Sequence, residues 1–193
     1  MDLIGRSARS FGVRNRTRKL EFARQFVATR QIKSVLFVGV SADHTDSYSN
    51  LIETQLQHEV DVAVATGLGA PLEVASKWRD YRFANALDLP FENQSFDLVY
   101  SNAVIEHVGD KTAQQTFVNE HARVGKHFIL TTPNRMFPIE AHRHVLFAHW
   151  SRSWVDPAGS VSRLVSKRDL VDLLPPGSKI RGSSFAPTLT GYR

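Results

Sequence analysis

The 193-residue chain contains no cysteine. That excludes a disulfide framework, a thiolate metal site and a cysteine nucleophile, and it fits a reducing compartment. No apolar run approaches the roughly 20 residues needed to cross a bilayer. The stretch Met1 to Arg9 lacks the apolar centre of a secretory leader. These absences predict a cytoplasmic protein with no transmembrane segment. Internal repeats and low-complexity tracts are also missing. Acidic residues are scarce at the start: only Asp2 and Glu21 stand against Arg6, Arg9, Arg14, Arg16, Arg18, Lys19, Arg24, Arg30 and Lys33. Much of the net charge of +5 is therefore local. Such a cluster suits nucleic acid, an acidic membrane surface or a phosphorylated substrate, and equally a solvated helix face.

What is present describes an ordinary soluble domain, with 42% hydrophobic and 22% charged residues. The length predicts one domain over 1–193, with a basic helical segment over about 1–33. Two periods alternate along the chain. Phe22, Phe26 and Val27 recur at helical spacing and predict a helix around Arg18 to Arg30. Strands are expected at Ser34–Val40, Val60–Ala65, Tyr81–Ala84, Phe96–Ser101 and His127–Thr132, and two short ones near Lys179–Phe185 and Thr188–Tyr192. Helices are expected around Tyr48–Leu56, from Pro71 towards Trp78, over Thr112–Val124, and over Ser166–Leu174 with Ser166 as N-cap and Asp169 three residues on. The alternation predicts an α/β, doubly wound, Rossmann-like fold with a mostly parallel sheet and helices on both faces. Ligands of such sheets sit outside the carboxyl ends of the strands. Attention therefore falls on Gly39 to Asp46, Gly67 to Pro71, Asn85 to Pro90, Asn102 to Val108 and Pro133 to His144.

Within those loops, Ala84-Asn85-Ala86-Leu87-Asp88-Leu89-Pro90-Phe91 leads to Ser95-Phe96-Asp97-Leu98-Val99 and then to Ile105-Glu106-His107-Val108. This stretch resembles the class I S-adenosylmethionine-dependent methyltransferases, and among them the type 11 small-molecule branch. Thr132-Pro133-Asn134 resembles the end of that family's fifth strand. The resemblance implies S-adenosyl-L-methionine as cofactor and a small-molecule, glycan or lipid-precursor acceptor. It implies that Asn85, at a position usually held by Asp, accepts from the adenine amino group through its amide oxygen. Ala86 would donate its backbone N–H to the ring and Leu87 would pack on it. Gly39, Val40, Ser41 and Asp43 would approach the methionine part, with Gly67 and Leu68 after the second strand. Asn102 and Ala103, with Val104, would floor the site beside the sulfonium.

Two departures stand out. Phe37 occupies the place of the family's acidic residue at the end of the first strand, and only Gly39 remains of its glycines. Gly69 stands where a carboxylate usually grips the ribose. Losing two charge-assisted contacts weakens binding about 100-fold or more. Asp43, Asp46 or Glu53 are the candidates to compensate. Without compensation, a catalytically weak or inactive binding or scaffold domain is the alternative. The basic start keeps an RNA methyltransferase in view as well, although no base-flipping motif follows the fourth strand. Gly67-Leu68-Gly69 mimics a dinucleotide fingerprint, but on the second strand instead of the first.

For the chemistry, His107 is one candidate base, and the pair Glu106–His107 equally suits a structural helix start. His142 is the preferred general base, with Glu140 two residues before it to tune it. The aromatic residues Phe137, Phe147, Trp150 and Trp154 are candidates for an acceptor wall, or for core packing. His142, His144 and His149 lack the helical spacing of a zinc site, and no metal is expected.

Overall fold

The computed structural model describes residues 3–41, 50–68, 75–139, 146–150, 156 and 159–193, without the side chains of 3–11, 13 and 148. Helix α1 (Leu3–Arg30) leads into strand β1 (Ser34–Val38), helix α2 (Leu51–Leu56) and strand β2 (Val62–Gly67). Strands β3 (Tyr81–Phe83) and β4 (Phe96–Asn102) precede helix α3 (Lys111–Val124) and strand β5 (Gly125–Pro133). Helix α4 (Lys167–Leu173) and strands β6 (Lys179–Arg181) and β7 (Thr188–Tyr192) complete the order.

The seven strands form one sheet in the order β3-β2-β1-β4-β5-β7-β6. The pairs from β3 to β5 are parallel, and β7 runs antiparallel to both its neighbours. Strand order therefore reverses between β1 and β4, which is the switch point of this sheet. The register sets Phe37 opposite Tyr100 and Tyr100 opposite Ile129. Two rows further towards the carboxyl ends, Asn102 lies opposite Thr131.

Alternation along the strands divides the core in two. Val35, Phe37, Leu98, Tyr100 and Ile129 join Leu20, Ala23 and Phe26 of α1 and Ile52 and Leu56 of α2. Leu36, Val38, Val99, Phe128 and Leu130 join Phe117 and Val118 of α3 and Leu170 and Leu173 of α4. Helix α3 starts at Asp110, whose side chain accepts from the Ala113 N–H. Helix α4 starts with the expected capping box of Ser166 and Asp169. Such caps contribute about 1 kcal/mol each.

Several boundaries differ from expectation, and three of the differences have a local cause. Helix α1 begins at Leu3, well before the Arg18 start read from the apolar spacing but within the basic helical segment expected over about 1–33; Arg and Leu favour helix there. Strand β2 starts at Val62 instead of Val60, because the Arg79 guanidinium claims the carbonyls of Gln57, Val60 and Asp61. Strand β6 stops at Arg181, before Gly182 at φ 114. The basic start is also less free than its sequence suggests. Arg24 forms an ion pair with Glu59, and Lys19 turns inward.

Candidate active site

The carboxyl ends of β1 to β5 bring together most of the residues singled out above. After β1, Gly39 adopts φ +76, and a Cβ there would meet both Val104 methyls at 2.7 Å. Glycine is thus required twice, by conformation and by space. The Gly39 and Val40 N–H groups both donate to the Thr66 carbonyl, drawing the end of β1 onto β2. A Cβ on Gly67 would lie 2.9 Å from the Val40 carbonyl, so that crossing also needs glycine. The Ser41 N–H donates to Asn50 Oδ1, and Asn50 Nδ2 donates back to the Ser41 carbonyl. Leu68 is exposed.

After β3, Asn85 is exposed, and its Oδ1 accepts from the Leu87 N–H at 3.0 Å, fixing a tight turn. Below it, the Leu89 N–H donates to Glu120, and Arg123 donates to the carbonyls of Leu89 and Phe91. Helix α3 thereby anchors the whole Asn85–Phe91 loop. Ala86 and Leu87 are half-buried in it.

After β4, Ala103 has φ +57, a conformation costly for a residue with a Cβ. Its N–H donates to the Thr131 carbonyl. Asn102 is a hub: its Oδ1 accepts from Lys19 Nζ at 2.7 Å and from Thr131 Oγ1 at 2.7 Å. Burial lowers the Lys19 pKa to about 8, against the pull of Glu53 and Glu106. Glu53 of α2 is only 5% exposed, and its Oε2 has no hydrogen-bond partner. Burial raises its pKa to about 7, opposed by Lys19 and by the Asn102 amide. The Tyr100 hydroxyl is also buried without a partner, and burial beside Glu53 pushes its pKa up.

His107 donates from Nδ1 to the Ser160 carbonyl at 2.5 Å, and its Nε2 stands 3.9 Å from Glu106 Oε1. Glu106 is fully buried; its Oε2 accepts from Thr132, and its carbonyl accepts from the Ser162 and Arg163 N–H groups. The Glu106–His107 pair therefore ties the end of β4 to the 159–165 segment in a turn, and the helix begins only at Lys111. Phe37 is completely buried, with its ring 6.2 Å from those of Trp78 and of Tyr100. The first-strand acid is replaced by core. Asp43, Asp46, Gly69, Glu140, His142, His144 and Trp154 lie outside the described residues.

Nothing in the basic run sets Lys19 apart from its neighbours, and no sequence motif gives Thr131 a part in the site. A signal for Lys19 existed in the spacing: Lys19, Ala23 and Phe26 share the stripe that α1 turns to the sheet.

Seven strands in this order, with ligand-facing loops at the switch point, define the class I methyltransferase architecture. Comparison with known proteins agrees. Residues 62–127, from β2 to the start of β5, match the family model described as a methyltransferase domain. A ubiquinone biosynthesis O-methyltransferase of Cereibacter sphaeroides (strain ATCC 17025 / ATH 2.4.3) is 32% identical over 97 residues, which is 49% of this chain and 38% of that protein. The chain thus spans well under half the length of this curated relative. A structure from Bacillus halodurans described as a methyltransferase superposes with TM-score 0.61 at 18% identity, over 84% of this chain and 70% of that one. An S-adenosylmethionine-dependent methyltransferase of Thermotoga maritima gives 0.58 at 12% identity, over 91% and 95%. Residues 62–127 thus match a methyltransferase domain, and the fold is that of the class I S-adenosylmethionine-dependent methyltransferases.

S-adenosylmethionine is the cofactor of that class, and the residues at the switch point fit it. The buried Glu53 carboxylate, with one oxygen unmet, suits a cationic ligand. Among the described residues no helix is long and apolar enough to cross a membrane.

Proposed function

We propose that this chain transfers the methyl group of S-adenosylmethionine to a small-molecule acceptor, a glycan or lipid precursor included. The observation that carries the reading is the family match over 62–127, which contains both the Asn85–Phe91 loop and the Asn102–His107 turn at the carboxyl edge. The relative named for ubiquinone biosynthesis supports a small acceptor. So does an apolar rim after β5, where Met136, Ile139, Leu146, Phe147 and Trp150 are exposed.

In this reading the cofactor supplies an electrophilic methyl bound to a sulfonium. The protein aligns the acceptor, excludes water and takes the acceptor's proton. Asn85 holds the adenine by its amide, Ala86 and Leu87 line the ring, and Gly39, Val40, Ser41 and Asp43 face the methionine part, with Gly67 and Leu68 beside the ribose. Asn102 and Ala103 floor the reacting centre. His142, tuned by Glu140, is the general base. His107, engaged by Ser160, holds the turn in place.

Calorimetric titration with S-adenosylmethionine tests the reading. Micromolar binding is the expected result, and no heat at millimolar ligand would refute it. The burial of Phe37 where an acid usually stands favours a second reading, a non-catalytic binding domain, and that null titration is its signature. His142→Ala should abolish transfer and leave cofactor affinity within about twofold. Retained turnover would remove His142 from the mechanism.

A further inference from the structure

The switch point between β1 and β4 carries two opposite charges that do not pair with each other. Lys19 Nζ donates to Asn102 instead of Glu53, and Glu53 Oε2 remains without a partner although the side chain is 5% exposed. Tyr100 beneath them keeps a buried hydroxyl that is likewise unmet. A buried ion pair that serves only the fold gains from direct contact and full hydrogen bonding, because each charge has lost its water. Here the Asn102 amide stands among the charges, held in turn by Thr131. Lys19 has further ammonium protons to give, and Glu53 has a free acceptor. The arrangement is complementary to a ligand group with an ammonium and a carboxylate on neighbouring atoms.

We propose that Glu53 and Lys19 seat the amino-acid end of the cofactor, Glu53 accepting from its α-ammonium and Lys19 donating to its α-carboxylate. The inference rests on the cofactor reading above. It assigns the role left open by Phe37 to a carboxylate on α2 and an ammonium on α1, two helices outside the 62–127 match. Position supports it. Glu53 lies close enough to Tyr100 and Lys19 to act on their charges, and Lys19 touches the residue that ends β4. In a doubly wound sheet this crevice is where ligands bind. Both signs that an amino-acid end carries are met within the cluster, where Glu53 and Glu106 act on Lys19 against Arg16.

The test is calorimetric binding of two nucleosides to the full chain. S-adenosylhomocysteine carries the amino-acid end, and 5′-methylthioadenosine lacks it. In the wild type, S-adenosylhomocysteine should bind at least tenfold more tightly. Glu53→Gln and Lys19→Met should each weaken S-adenosylhomocysteine tenfold or more and leave 5′-methylthioadenosine within twofold. Thermal melts of both variants check that the fold is kept. Unchanged affinity for S-adenosylhomocysteine, or equal loss for both nucleosides, would overturn the assignment. Equal wild-type affinity for both nucleosides would also overturn it while leaving the cofactor reading intact. Binding of neither would remove both.

Discussion

If Glu53 is kept for a ligand, it should cost the free protein stability, and the cost can be worked out. Burial raises its pKa from an ordinary 4.5 to about 7, even with Lys19 and Asn102 opposing the rise. The folded state thus binds the proton more tightly than the unfolded chain does. Between pH 4.5 and 7 the folded state carries more protons, so stability falls as pH rises through that window. At about 1.4 kcal/mol per unit, the loss is about 3 kcal/mol. The groups that face Glu53 are Lys19 on α1, itself within reach of Arg16 and Glu106, and Tyr100 and Asn102 on β4. Lys19 titrates near 8, above the window. Glu53→Gln has no such proton to lose. Urea unfolding of both proteins from pH 4.5 to 7.5 should show the variant gaining on the wild type by about 2–3 kcal/mol. Taking the difference cancels other titrating groups common to both. A pH-independent difference would refute the reasoning. Saturating S-adenosylhomocysteine should then close the gap, because the ligand binds the wild type better.

His121 is buried between the Phe117 carbonyl, to which Nδ1–H must donate, and Ser101 Oγ, which donates to Nε2. Burial lowers its pKa to about 4, so an NMR titration should keep it neutral down to that pH; an imidazolium already present at pH 6 would contradict the geometry. Gly39→Ala forces a Cβ into Val104 at φ +76 and should cost about 2–4 kcal/mol in urea unfolding. Adding Val104→Ala should recover the steric part, and no recovery would mean that the backbone conformation alone is at issue. Asn102→Ala strips Lys19 and Thr131 of their shared acceptor and should cost about 1–3 kcal/mol. The same variant should weaken S-adenosylhomocysteine more than 5′-methylthioadenosine in the calorimeter, and an equal effect on both would take Asn102 out of the seat.

The fold was legible because its inner strands are apolar runs on a parallel sheet, buried on both faces, and its late helices carry caps that sequence displays. Val35–Val38 and Phe128–Leu130 are read by eye, and Ser166 with Asp169 closes the capping box that their spacing announces. What was not legible depends on partners distant in sequence. Nothing near Val60 shows that Arg79 will take its carbonyl. The site divides in the same way. Gly39, Asn85 and Asn102 stand in local motifs and fall on the carboxyl edge. Lys19 sits in a run of basic residues and looks solvated until α1 is laid on the sheet, 83 residues from its partner Asn102. Glu53 gave a partial signal, a carboxylate between the buried Ile52 and the core-facing turn that ends in Leu56.

The exchange of an acid for Phe37 changes more than one contact. The row Phe37–Tyr100–Ile129, two rungs below Asn102, is now wholly hydrophobic or aromatic, and Trp78 packs against it. The buried charges next to it lie on the two helices that cover the sheet, Lys19 on α1 and Glu53 on α2. A carboxylate on the strand end would be placed by the sheet itself, whereas Glu53 and Lys19 are placed only when α1 and α2 dock. Helix α1 is held by Asn15 on Thr188, by Phe22 and Phe26 on Tyr192, and by Arg181 over Phe22. All of those anchors lie on β6 and β7, the last strands of the chain. With Arg24 on Glu59 and Phe26 on His127 as further anchors, the proposed seat depends on the docking of α1 across the sheet and α2. If Glu53 and Lys19 seat the cofactor as proposed, its affinity depends on how α1 and α2 pack, since both residues lie outside the 62–127 match.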